Sequence, residues 1–191
     1  MPMKMPMFSL IPILTLILVL HCARVSAAAA DIDASDSENQ IKATYLYKFT
    51  HYVQWPVSAF SRADSPFMIG VVGSEAVAAH LRRLLQGRLI DNRAVEVNVI
   101  KPTETLANVH ILFVSKLEVA ALKQLLASTQ SQPVLIVTDS NAGLGAGSVI
   151  NFINVEDHIR FEISLLQAER CGLKISARLL NVAKKIESKR P

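Results

Sequence analysis

The sequence predicts a single α/β domain: a mixed β-sheet flanked by helices on both faces, with an antiparallel hairpin near the carboxyl end. Apolar runs of strand length alternate with amphipathic stretches of helix length, and this alternation favours parallel strands joined by crossover helices. Near the carboxyl end, two strand-length runs are separated by only four residues, and so short a connection permits only antiparallel pairing. The 191 residues are 51% hydrophobic, enough for one ordinary core.

The first 27 residues differ in composition from the rest of the chain. Lys4 precedes an apolar run over residues 8–20, and small residues lead up to Ala27. This order is typical of a secretory signal peptide. The apolar run is shorter than the ~20 residues that a transmembrane helix needs, so we expect cleavage after Ala27 and no membrane anchor in the mature chain. Residues 28–37 are expected to form a flexible leader.

The charge balance excludes one class of partner. The formal net charge is +4, and removal of Lys4 and Arg24 with the signal peptide lowers it to about +2. The remaining basic residues are spread along the chain, without the basic stripe and interleaved aromatic residues that nucleic-acid binding requires. We therefore expect no nucleic-acid partner.

Cysteine content limits the covalent chemistry of the fold. Removal of the signal peptide takes away Cys22 and leaves Cys171 as the single cysteine. The mature chain therefore has no internal disulfide, and its stability must come from an ordinary core. Cys171 is expected to be a small buried residue; a reactive thiol and an intermolecular bridge remain alternatives.

The domain, residues 38–188, is expected to begin with a helix that Ser37 caps. Its apolar stripe is then followed by Pro56, which ends the helix. We expect Tyr47 and Trp55 to lie off that stripe, and exposed aromatic side chains are typical of interface anchors. The stripe comprises Ile41, Tyr45, Phe49 and Tyr52.

The middle of the chain supplies the alternating elements. Helices are predicted over residues 74–86 and 117–127, and a glycine-rich loop over Gly143–Gly147. The loop lacks the Gly-x-Gly-x-x-Gly spacing of a dinucleotide site, and a strand rather than a helix follows it. Strands are predicted over residues 67–72, 94–99, 109–114 and 134–137.

The carboxyl-terminal part is predicted to contain the hairpin strands 148–154 and 159–164, followed by a final helix that ends near Lys185. In the second strand, Arg160, Glu162 and Ser164 share one face because side chains alternate along a strand. That face is either the wet side of an edge strand or a polar platform on which Arg160 and Glu162 meet a partner.

No pattern in the sequence predicts catalysis. The four histidines of the mature chain have no paired ligand spacing, and no nucleophile motif is present. We therefore predict a protein that is not an enzyme and has no metal and no cofactor. The histidines are His51, His80, His110 and His158.

Several stretches together resemble one protein family. Ala43–Phe49, continuing to Trp55 and Pro56, is similar to the opening helix of YfiR-type periplasmic proteins. Phe67–Gly73 and His110–Ser115 resemble the family's strands. The carboxyl-end signature is matched by Arg160–Ile163 and Gly172–Leu180. The resemblance covers about residues 38 to 186.

The resemblance implies a small exported α/β protein that forms a homodimer and acts in the periplasm. Family members bind the periplasmic sensory region of a membrane-bound diguanylate cyclase and repress it, which lowers cyclic di-GMP and biofilm formation. The residues expected at the partner or dimer interface are Tyr47, Trp55, Arg160, Glu162 and Arg178.

Two departures from the family pattern and one alternative function accompany this interpretation. His110 stands where relatives with disulfides carry a cysteine, and Ser164 stands where an asparagine is common. The alternative is a periplasmic small-molecule sensor that serves another membrane receptor, with a pocket at the strand ends near Gly73 and Gly143–Gly147.

Overall fold

The structure is a computed structural model that describes residues 34–104, 106–129 and 131–188. The expected signal peptide, residues 1–27, and the first part of the expected leader lie outside these residues. The chain divides into two units, Met1–Glu38 and Asn39–Pro191. In the first unit, the described residues 34–38 are helical; the second unit contains the sheet and the other helices.

An eight-stranded mixed sheet forms the centre of the second unit. Its strand order is β10-β8-β7-β6-β5-β2-β4-β3, and a separate two-stranded sheet pairs β1 with β9. The pairs linking β4, β2, β5, β6 and β7 are parallel, whereas β8 runs antiparallel to β7. The strands are β1 Val53–Gln54, β2 Phe67–Val72, β3 Leu89–Ile90, β4 Arg93–Val99, β5 Ile111–Val114, β6 Leu135–Thr138, β7 Ile150–Val155, β8 His158–Ser164, β9 Lys174–Ile175 and β10 Lys185–Glu187.

Six helices accompany these strands among the described residues. The first, α1, comprises residues 34–49, and Ser74 caps α2 by accepting a hydrogen bond from the Val77 N–H. A 3-10 turn, Val57–Ala59, follows β1. The remaining helices are α2 Glu75–Leu85, α3 Val119–Ala127, α4 Gly143–Ala146, α5 Leu165–Arg170 and α6 Ala177–Leu180.

The central strands are buried on both faces. In β5, Ile111 and Phe113 point into a core that α1, α2 and α5 cover, which we term the first face. Leu112 and Val114 point into a second core that α3 covers, the second face. All four side chains are at most 2% exposed, so the apolar run predicts strand burial correctly. The expected class, a mixed sheet with helices on both faces and a hairpin near the carboxyl end, is confirmed.

The helix α1 differs from its expected form. Residues 34–37 are already helical, so the helix does not begin at Ser37, and it ends at residue 49, before β1. Its buried stripe is Ala43, Leu46 and Phe49, whereas Ile41 is 44% exposed. Spacing alone did not distinguish the two stripes because both recur at three or four residues.

Two segments of the carboxyl-terminal third also differ from expectation. The glycine-rich stretch is the one-turn helix α4 rather than a loop. Of the three glycines in this stretch, only Gly147 has a positive φ, at 111°, whereas a Cβ at Gly143 would collide with Asn151 and Thr138. The predicted final helix is replaced by α5, β9, α6 and β10. Gly172, at φ 67°, ends α5 and turns the chain out of it.

Candidate interaction surface

Strand β8 presents charged side chains on the second face of the sheet. Phe161 and Ile163 belong to the core of the first face, so the alternating residues Arg160 and Glu162 point the opposite way. Arg160 is exposed and Glu162 is half-buried. The prediction that these two residues share one face of a strand is therefore correct.

The neighbouring strands extend this row of charges. Glu162 lies opposite Asn151 of β7 and beside Lys185 of β10, and Arg160 lies opposite Ile153. Residues in register on adjacent strands share a face. We call Arg160, Glu162 and Lys185 the charged sheet face. Lys185 is exposed, so positive, negative and positive groups occupy adjacent places on this face.

Ser164, the next residue of this face, has a structural role. It is 2% exposed, and its hydroxyl accepts a hydrogen bond from the Gln167 N–H at the start of α5. Asparagine, which is common at this position in the family, is also a favoured N-cap residue. The serine of this chain therefore caps α5 by the same kind of hydrogen bond. Ser164 therefore ends the charged sheet face at its buried side.

Trp55 belongs to a stacked group near the beginning of β2 and β5, which we call the aromatic column. Its ring meets Phe67 edge-on at 5.0 Å between centroids, and its indole Nε1 donates to the His110 carbonyl oxygen at 3.1 Å. His110 stacks between Phe67 and Phe60, at 4.9 and 4.4 Å. The guanidinium of Arg93 lies 3.9 Å from the centre of the Phe60 ring.

The hydrogen bonds of His110 define its protonation state. The Met68 N–H donates to Nδ1 at 3.0 Å, and Nε2 lies 3.1 Å from the Ala59 carbonyl oxygen. An N–H can only donate, so Nδ1 carries no proton and Nε2 donates to Ala59. The pKa of His110 is lowered because burial disfavours the charged ring; the nearby Arg93 lowers it further, and the hydrogen bond to Ala59 opposes both.

The aromatic column could not be predicted from the sequence because its members lie far apart along the chain. Phe60, Phe67 and His110 come from a turn, the start of β2 and the residue before β5. Trp55 is less exposed than expected for an interface anchor. Its ring is half-buried, and its indole N–H donates to the His110 carbonyl oxygen inside the protein. The column fastens the turn after β1 to the sheet.

Tyr47 and Arg178 lie on separate elements. Tyr47 is half-buried on α1, edge-on to His51 at 4.8 Å, with the Arg88 guanidinium 5.6 Å from its ring centre. Arg178 is exposed on α6. Tyr47 and Trp55 pack against the core of the first face, whereas Arg160 and Glu162 point to the second. The five expected interface residues therefore do not form one patch.

A buried polar cluster lies at the carboxyl ends of β5 and β6. Lys42 of α1 approaches Asp139 Oδ2 with its Nζ at 2.7 Å, and the Ser115 hydroxyl donates to the same oxygen at 2.8 Å. The two charged side chains are 9% and 12% exposed. Beside them, the Thr138 hydroxyl donates to Asn151 Oδ1 at 2.8 Å. This cluster ties α1 to the sheet.

Protein atoms fill the strand ends near Gly73 and Gly143, where the alternative function would require a small-molecule pocket. The backbone of Gly73, at φ 80°, lies so close to the Ser115 carbonyl that a Cβ would collide with it. Asn151 and Thr138 occupy the corresponding space at Gly143. The geometry therefore does not favour a ligand pocket at these two glycines.

Two features are absent from the part of the chain that the structure describes. Within residues 34–104, 106–129 and 131–188, no group of three or more His, Cys, Asp and Glu side chains has an arrangement that could hold a metal ion. Within the same residues, no helix combines the length and apolarity needed to cross a membrane.

Comparison with protein families decides the relationship. A family described as YfiR/HmsC-like matches residues 39–184, most of the chain. The chain belongs to the YfiR/HmsC-like family. The family is one of periplasmic regulators of cyclic di-GMP signalling. Membership also places the chain in a regulatory rather than a catalytic family.

Other comparisons add less. A comparison with curated proteins finds no match. Among solved structures, the chain is similar to a conserved domain protein from Vibrio cholerae O1 biovar El Tor, with 13% identity and a TM-score of 0.44. The similarity covers 63% of this chain and 54% of that one, so this chain spans about half the length of that protein. A similarity at this level carries no argument about function.

Proposed function

We propose that this chain is a periplasmic repressor that binds the sensory region of an inner-membrane diguanylate cyclase and thereby lowers cyclic di-GMP and biofilm formation. Membership of the YfiR/HmsC-like family supports this role. The structural observation that carries it is the charged sheet face, where Arg160, Glu162 and Lys185 lie on adjacent strands. An ordered row of alternating charges selects a partner with the complementary order.

Glu162 is expected to contribute most to this recognition. It is half-buried between Asn151 and Lys185, whereas Arg160 and Lys185 are exposed. A charge that a partner desolvates further interacts more strongly than one that remains in water at the rim. We therefore assign Glu162 the central position and Arg160 the rim of the cyclase-binding surface.

The other expected interface residues fit a second contact. Tyr47 and Trp55 lie on the side of the sheet opposite Glu162, so one small partner surface cannot touch all three. We propose that the cyclase binds the charged sheet face and that a second copy of the chain contacts the side of Tyr47. The exposed Arg178 is assigned to the same homodimer contact.

Repression of this kind needs no chemistry in the repressor. A signal releases the cyclase if it stabilises the unbound conformation of the repressor more than the bound one. A difference of about 1.4 kcal/mol between the two changes the balance tenfold. Sequestration and release therefore follow from affinity differences alone.

The test is capture of a membrane diguanylate cyclase by the exported protein, with cellular cyclic di-GMP measured in parallel. We expect Glu162→Lys to reduce capture and raise cyclic di-GMP, and Arg160→Glu to do the same more weakly. Lys123→Glu is the matched control because Lys123 is an exposed charge on α3 and is not one of the three residues of the charged sheet face. Unchanged capture by both charge-reversal variants would remove the charged sheet face from the proposal.

A second comparison separates the two proposed contacts. Trp55→Ala and Arg178→Glu are measured for capture and, by light scattering, for molecular mass. We expect Arg178→Glu to weaken the homodimer and leave cyclase capture by the remaining folded protein intact. Loss of capture without any change of mass would contradict the assignment of Arg178 to the homodimer.

A further inference from the structure

The outer edge of β4 is an open strand edge. From Val95 to Val99, β4 pairs with β2 along one side. On its other side, the register of the described strands gives it the partner β3 only at Arg93 and Ala94. An unpaired strand edge presents main-chain donors and acceptors that fit another extended chain. The part of β4 beyond Ala94 therefore has the form of a strand-addition site.

The hydrogen bonds of β4 show which residues point outward. The Ile100 N–H donates to the Val71 carbonyl oxygen of β2 at 2.9 Å. Because main-chain groups alternate in direction along a strand, Val95, Val97 and Val99 direct theirs away from β2. One outward acceptor is covered: Arg82 Nε donates to the Val97 carbonyl oxygen at 3.2 Å. A side chain that reaches over the edge in this way protects it from unselective pairing.

A groove runs along this edge. It has a volume of about 320 Å³ and is lined by residues from α2, the turn after it, β3 and β4. Its described lining contains two arginines and no carboxylate, and one of the two, Arg82, forms an ion pair with Glu75 beside the groove at 2.8 Å. The residues that matter here are Arg82, Leu85, Arg88, Leu89, Val95 and Val97.

We propose that this groove binds an extended, acidic segment of a partner polypeptide, which adds to the sheet beside β4. The open edge specifies an extended segment, and the Arg88 guanidinium specifies acidic side chains on the residues that face the groove. Arg82 Nη1 already donates to Glu75 Oε1 at 2.8 Å, so Arg82 only releases the Val97 carbonyl, and Arg88 meets a carboxylate of the incoming strand. Glu96 is on the opposite side of β4, so the alternate residues of the segment are uncharged or basic.

This surface is distinct from the charged sheet face, which lies at the other end of the strand order. Binding at this groove does not depend on the identity of the cyclase and is a function beyond the proposed repression. The partner is defined by its chemistry: an unstructured stretch in which glutamate or aspartate alternates with small apolar residues.

The test is nuclear magnetic resonance titration of the purified protein with a capped eight-residue peptide of alternating glutamate and valine. We expect chemical-shift changes centred on the amides of Val95, Val97 and Val99. Arg88→Glu is expected to weaken binding about tenfold, because attraction is replaced by repulsion. Lys123→Glu, on α3, serves as the matched control and should bind the peptide as the unaltered protein does.

Two further probes test the strand geometry itself. Val97→Pro removes one outward N–H without touching the pairing with β2, and is expected to weaken binding at least fivefold. A peptide with N-methylated backbone amides should fail to bind, and this probe needs no altered protein. Equal affinity for the N-methylated peptide, or for a peptide with lysine in place of glutamate, would overturn the proposal, as would the absence of any binding.

Discussion

The indole Nε1 of Trp55 donates a hydrogen bond to the backbone carbonyl oxygen of His110 across a 3.1 Å contact. The same carbonyl accepts the Leu135 N–H at 2.8 Å, so both of its lone pairs are used. Trp55→Phe is expected to destabilise the protein by about 1 kcal/mol, because one of the two hydrogen bonds is lost. Urea unfolding measures this. An unchanged stability together with loss of cyclase capture would make Trp55 a contact residue instead.

The stability of the protein is expected to fall with acidity below about pH 6.5, the ordinary pKa of histidine. Burial lowers the pKa of folded His110, so the unfolded chain binds more protons in this range and stability rises with pH. The contribution is fully present above the unfolded pKa and is lost as pH falls through the folded pKa. Protonation of Nδ1 also places two donors, His110 and the Met68 N–H, against each other.

The measurement is urea unfolding at pH 7.5 and pH 5, with His110→Gln as the comparison. Glutamine offers an amide NH2 donor group and a carbonyl acceptor but does not titrate. We expect the loss of stability between the two pH values to be smaller in this variant. An identical pH dependence in both proteins would show that other groups cause it.

The ion pair of Lys42 and Asp139 is expected to be a large contributor to the attachment of α1. Lys42→Met leaves the buried Asp139 carboxylate without this cation. Removal of one partner of a buried ion pair costs about 3 kcal/mol of stability. The exposed pair Arg62 and Asp64, at 76% and 78% exposure, is the control, and Arg62→Met should cost under about 1 kcal/mol. Similar values for both substitutions would contradict the assigned role of burial.

Substitution of Gly73 is expected to damage the fold. Gly73→Ala forces a positive φ on alanine and drives its Cβ into the Ser115 carbonyl, at a cost of about 3 kcal/mol or more. Gly145→Ala is the matched control, since nothing lies within 4 Å of its added Cβ and the residue is helical. The control should be neutral or stabilising by up to about 1 kcal/mol. Thermal unfolding distinguishes the two.

Cys171 is expected to react slowly with thiol reagents at neutral pH. Its side chain lies in the core of the first face, and burial raises the pKa of the thiol, so little thiolate forms. Mass spectrometry after alkylation should show modification only once the protein is unfolded by denaturant. Rapid modification of the folded protein would restore the alternative of a reactive thiol.

The parts of the fold that follow from the sequence are those with strong local patterns. The run Phe67–Val72 predicts β2 to the residue because a continuous apolar segment is buried on both faces. The hairpin of β7 and β8 follows from the short connection between its strands. The carboxyl-terminal elements β9, α6 and β10 did not follow, because segments of two to four residues are too short to show a period.

The candidate site divides in the same way. The common face of Arg160 and Glu162 depends only on alternation within one strand, and it was predictable. The position of Lys185 beside Glu162 depends on pairing between residues distant in sequence, as does the stacking of His110 on Phe60. Contacts of this kind are determined by tertiary structure, and a single sequence carries no local signal for them.

The contact of Gly73 with Ser115 has a wider consequence. In open α/β sheets, nucleotides and similar cofactors enter the gap where the strand order reverses direction. That reversal lies between β2 and β5 here, and the chain's own main chain plugs the opening. In this fold, the position at which α/β sheets usually bind cofactors is therefore occupied by protein backbone. To open it, the loop after β2 and the loop after β5 would both have to change conformation.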